Sequence, residues 1–71
     1  MKTISQLIKE LEKMGFSVLV DKTRLWEWRY DCTATKHFEC AEVEITSGFH
    51  KTKHAALQEA LDIINNLTKG E

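Results

Sequence analysis

The stretch FSVLVDKTRLWEWRYDC, Phe16 to Cys32, decides the fold. Its apolar side chains recur at every second residue, at Phe16, Val18 and Val20 and again at Trp26, Trp28, Tyr30 and Cys32. A period of two places each set on one face of a pleated strand. The opposite face of the second run reads Leu25, Glu27, Arg29 and Asp31, which is largely charged. One apolar and one polar face is the pattern of an antiparallel sheet covered on a single side. The polar residues Asp21 to Arg24, DKTR, are the expected turn between the two strands.

On either side of this stretch the period changes to that of a helix. Upstream, Ile4, Leu7, Ile8, Leu11 and Met14 recur at helical spacing, Thr3 to Gln6 has the form of a capping box, and Gly15 supplies a left-handed stop from which Phe16 folds back on Leu11. The first helix is thus expected over about residues 4–14. Downstream, TATKH reads as a loop, and Phe38 to Thr46 as a third strand with Ala41, Val43 and Ile45 inward and Glu42 and Glu44 outward. Phe38 and Cys40 have the wrong parity for that strand, which calls for a bulge near Cys40 or a shorter strand. Ser47 and Gly48 then close the sheet. Thr52 is the expected cap of a second helix whose buried stripe is Ala56, Leu57, Ala60, Leu61, Ile64 and Leu67. The reading is an α+β, two-layer α-β-β-β-α domain over residues 1–71, a three-stranded antiparallel sheet with both helices on one face.

A chain of 71 residues buries only about 60% of its unfolded surface, so a large enclosed substrate cleft is not expected. Apolar residues at 42% and charged residues at 30% are the balance of an ordered globular chain. Ten Lys and Arg against eleven Asp and Glu leave a net charge of −1, so no global field draws the chain to nucleic acid or to an anionic membrane. Any such binding must come from a local patch. No apolar run approaches the roughly 20 residues of a membrane span, and MKTISQLIKELEK reads as amphipathic helix, so no membrane contact and a cytoplasmic location are expected. Cys32 and Cys40 are read as reduced, buried small hydrophobes.

Five side chains in one span, Cys32, His37, Cys40, His50 and His54, are metal-ligand types. Their C-x7-C and H-x3-H spacings lack the short Cys-x2–4-Cys knuckle that preorganises zinc thiolates. No nucleophile is paired with a positioned base, and the expectation is a non-enzymatic protein with no cofactor and no metal. Trp26, Trp28 and Tyr30 at alternate positions form either a stacking platform for bases or the apolar surface that two helices require, and core packing is the expected role. Glu27, Arg29, Asp31, Glu42 and Glu44 share the uncovered sheet face and are the candidate contact surface for a basic protein partner. Lys51, Lys53 and His54 stand at the positive end of the second helix, where acidic residues are favoured, and are the candidate site for an anion or nucleic acid.

The α-β-β-β-α order, with KTKHAALQEAL opening the last helix, resembles the double-stranded RNA-binding domain. That family places basic residues at this helix start on phosphates, which implies such a role for Lys51, Lys53 and His54. Residues 21–24 read DKTR where the family carries a Gly-Pro-His loop. The architecture also resembles small accessory proteins of phages and prophages, among them anti-CRISPR proteins and other defence inhibitors. That resemblance, with the net charge, sets the leading expectation: an inhibitor or accessory protein acting through protein–protein contact. A duplex-RNA-binding module is the alternative, and the sequence leaves room for a homodimer.

Overall fold

Thr3 begins the first element, and the computed structural model describes the chain over residues 2–69, with side chains through Leu67. The Thr3 hydroxyl accepts from the Gln6 amide at 3.2 Å and the Gln6 side chain accepts from the Thr3 amide at 2.8 Å, which completes the capping box that opens α1 (Ile4–Lys13). At the far end Gly15 has φ +91°, open only to glycine without strain. The Gly15 and Phe16 amides then donate to the carbonyls of Glu12 and Leu11 at 3.0 and 3.1 Å, the paired bonds of a Schellman stop.

The chain continues as β1 (Ser17–Arg24), β2 (Trp28–His37), β3 (Glu42–Thr46) and α2 (Lys53–Lys69), with the strands antiparallel in the order β1-β2-β3. The fold is α+β, and both helices cover one face. Leu7 and Leu11 of α1, Cys32 and Ala34 of β2, and Ala56, Leu57, Ala60, Leu61 and Ile64 of α2 make one buried cluster. The alanines at its centre have no side chain beyond Cβ, which lets α2 lie close to the middle strand. Thr52 caps α2 as its position suggested, its hydroxyl accepting from the Ala55 amide at 3.1 Å.

Several local expectations are corrected. Residues 21–24 are not a turn: DKTR continues β1, with Asp21 opposite Asp31 and Arg24 opposite Trp28. The turn is the three residues Leu25 to Glu27, so Glu27 lies off the sheet face to which it was assigned. TATKH is not a loop but the second half of β2, because Thr33 and Thr35 face water while Ala34 faces the core, an alternation that polar composition disguised. The shorter of the two alternatives for β3 holds: Phe38 to Ala41 form the β2–β3 connection, in which the Phe38 amide donates to the Ala41 carbonyl at 2.7 Å. Cys40 is therefore exposed, and only Cys32 is the buried small hydrophobe; both thiols are free. Trp26 and Trp28 are not core residues, at 85% and 49% exposure, and Leu67 at 60% lies beyond the helical stripe that is buried.

Past β3 the edge carries a bulge. Thr46 pairs with Thr33, yet His50 pairs with Tyr30, so the outer strand holds one residue more than its partner. Within the bulge Ser47 is buried; its amide donates to the Cys32 carbonyl and its hydroxyl accepts from the Cys32 amide, both at 2.9 Å. The hydroxyl thus replaces the carbonyl that the bulge turns away.

Candidate functional site

The pleat of β1 and β2 sorts side chains by parity. Val18, Val20, Lys22 and Arg24 take the helix side, opposite Ala34, Cys32, Tyr30 and Trp28 respectively, whereas Asp21 and Asp31 face each other on the open side. The helix cover thins along this face toward the β1–β2 turn. Cys32 is fully buried, Tyr30 is half-buried, Trp28 is about half exposed, and Trp26 in the turn is nearly bare.

Cations gather where the cover ends. The Lys22 ammonium lies 4.6 Å from the centre of the Trp28 ring and 5.8 Å from that of Tyr30. The Arg24 guanidinium carbon is 5.6 Å from the Trp28 ring, and the Lys53 ammonium reaches the Tyr30 ring from the start of α2 at 5.9 Å. All lie within the roughly 6 Å at which an aromatic face attracts a cation. The hydrogen bond and charge of Arg29, and to a smaller extent the charge of exposed Lys51, hold the carboxyl of Glu27 in the adjoining turn below its ordinary value. Lys22 and Arg24 of β1 and Lys53 of α2, far apart in sequence, thus converge on one pair of rings.

His54 does not share this cluster's solvent-facing role. Its Nε2 donates to the Lys2 carbonyl at 2.6 Å; a carbonyl accepts only, which assigns the proton to Nε2 and ties the start of α2 to the residue before the α1 cap. Glu59, one helical turn and a half into α2, accepts from the Gly48 amide at 2.5 Å and lies 3.1 Å from His50 Nε2. These bonds, the Gly48 one first, hold its carboxyl below the ordinary value. It fastens the bulge to α2, a role its sequence position did not suggest.

The acidic residues are dispersed. Glu27 is paired with Arg29 at 2.5 Å in and beside the turn. Asp31 faces Asp21 in the middle of the open face, and Glu42 and Glu44 occupy the outermost strand, Glu42 lying 3.4 Å from His37 Nδ1. Like charges along an edge strand also oppose pairing with a second sheet, a structural role for Glu42 and Glu44.

For chemistry, Cys32 offers little: burial, and secondarily Asp31, push its thiol up to about 11, so it stays protonated at neutral pH. Among the described residues no three His, Cys, Asp or Glu side chains are placed to hold a metal ion, and no helix is long and apolar enough to cross a membrane. Of the residues singled out in the sequence, Lys53 falls at the cation cluster and Lys51 acts on Glu27 in the adjoining turn, while Lys22 and Arg24 were hidden in the expected turn. No signal in the sequence marked them, because the apolar alternation stops at Val20 and residues 21–24 are all polar.

The chain matches no family model, no curated protein and no solved structure.

Proposed function

We propose that this chain is a non-enzymatic nucleic-acid-binding module that grips phosphates with Lys22, Arg24, Lys51 and Lys53. The observation that carries the reading is the convergence of Lys22, Arg24 and Lys53 on the Trp28 and Tyr30 rings at the uncovered end of the sheet. Net charge −1 does not oppose it, because the pleat directs Asp21 and Asp31 to the other face and leaves this end locally cationic. The duplex-binding family that the topology resembles also uses basic residues at the start of its last helix, and Lys51 and Lys53 hold those positions here.

A partly double-stranded oligonucleotide with a single-stranded tail tests this reading whatever strand form the site prefers. Fluorescence anisotropy is expected to give micromolar binding at low salt. Four phosphate contacts imply a log–log salt slope near −3, a loss of about 50-fold between 50 and 200 mM salt. Lys22→Glu with Lys53→Glu is expected to abolish binding, and Glu42→Lys with Glu44→Lys to leave it intact or strengthen it. Flat anisotropy to high protein concentration refutes the proposal.

The second reading, an inhibitor of the phage accessory type that meets a basic protein, draws on Asp21, Asp31, Glu42 and Glu44, which share the open face. It gains ground only if the oligonucleotide fails to bind and a basic partner is captured in a form sensitive to Glu42→Lys with Glu44→Lys.

A further inference from the structure

We infer that the same end of the molecule takes single-stranded rather than duplex nucleic acid, by stacking unpaired bases on Trp26 and Trp28. This rests on the nucleic-acid reading above and narrows it to one strand form. Trp26 stands in a three-residue turn at 85% exposure, where no packing demand explains so large an apolar ring, and Trp28 two residues on is half exposed. Both belong to a hairpin end that also presents Lys22 and Arg24, so ring and phosphate contacts lie within the reach of adjacent nucleotides. Phosphate contacts alone do not distinguish strand forms; exposed rings do, because a base inside a duplex already stacks on its neighbours and offers its face to a protein only when unpaired.

The cations that now lie over Trp28 do not block this use. An exposed cation–ring contact strengthens an association by roughly 2- to 5-fold, whereas a base stacked on an aromatic side chain strengthens it by roughly 5- to 150-fold. Exchange of the Lys22 and Arg24 heads from ring to phosphate is therefore favoured when a strand arrives, and their long stems let the heads move without the backbone. The site so described reads little sequence, since every base has a face to stack.

The chain's two tryptophans are Trp26 and Trp28, so intrinsic fluorescence reports directly on the proposed contact. The experiment titrates the 71-residue chain with an oligothymidylate of about ten nucleotides, with the abasic strand of equal length and charge, and with a duplex of equal length. The expected result is fluorescence quenching by oligothymidylate, with binding at least about tenfold tighter than to either the abasic strand or the duplex. Trp26→Ala, at a tip where folding does not depend on the ring, is expected to remove about 5-fold or more of the affinity for oligothymidylate and none of that for the abasic strand. Equal affinity for oligothymidylate and abasic strand, or a duplex bound as tightly, overturns the stacking inference and leaves the phosphate-binding module standing. Failure of all three ligands to bind overturns both.

Discussion

Ser47→Ala is the substitution from which the bulge's contribution to stability is read. Ser47 is 6% exposed, and its hydroxyl is the acceptor for the amide of Cys32, a fully buried residue on the central strand. Truncation to alanine removes one oxygen, opens little space and deprives that buried N–H of its partner. A net hydrogen bond counts for about 1 kcal/mol, but stranding a buried donor costs its desolvation, about 1–3 kcal/mol. The hydroxyl's own bond to the Gly48 carbonyl, 3.0 Å, adds little, because Gly48 is exposed and water replaces it. The expected loss is about 2 kcal/mol, against a total stability of roughly 4–10 kcal/mol for a chain of this length. In Tm this is a fall of about 8–16 °C. Urea unfolding followed by far-ultraviolet circular dichroism suits the measurement, since both tryptophans are exposed and report poorly on the core. Hydrogen exchange localises the effect: the Cys32 amide is expected to lose protection beyond the global change. Exposed Thr46→Ala serves as the control, within about 0.5 kcal/mol of wild type. A Ser47→Ala loss no larger than that control, with Cys32 exchange unchanged, would falsify the account of the bulge.

Three further outcomes follow from the geometry. Gly15→Ala forces a Cβ into φ +91° and to 3.1 Å from the Lys36 stem; the stem moves easily, so backbone strain dominates, and the expected cost is about 1–2 kcal/mol in urea unfolding, with no change marking the Schellman stop as unimportant. The Glu59 carboxyl is held below its ordinary value of 4.5, so the stability it supplies is fully present above that pH and is lost as pH falls through its depressed folded value. Glu59→Gln is accordingly expected to flatten the acid limb of the stability–pH profile below about 4.5, and a limb of unchanged steepness contradicts the Glu59 clamp. A maleimide is expected to label exposed Cys40 in the native protein and to spare Cys32, whose thiol is buried and raised to about 11; rapid double labelling before unfolding would mean that the sheet centre opens.

What the sequence determined by itself is local. Thr3 with Gln6, Gly15 with Phe16, and Thr52 ahead of Ala55 end the helices through bonds among residues a few positions apart, and each is found where the sequence places it. The alternation through Val18, Val20, Tyr30 and Cys32 likewise assigns its faces, because a strand's pleat leaves no other choice. The candidate site was half legible on the same grounds: Lys51 and Lys53 stood out by their place at a helix start, whereas Lys22 and Arg24 passed as a turn because polar strand and polar turn look alike in one dimension. Only the tertiary structure decided how far the helices reach over the sheet. That reach left Trp26 and Trp28 in water instead of in the core, placed Lys53 beside the Tyr30 ring and brought the two basic segments together. It also set the one-residue bulge and the Ser47 and Glu59 contacts that hold it. Periodicity states which way a side chain points; whether anything lies opposite to bury it depends on packing between segments distant in the chain, and that is not written in the spacing of its neighbours.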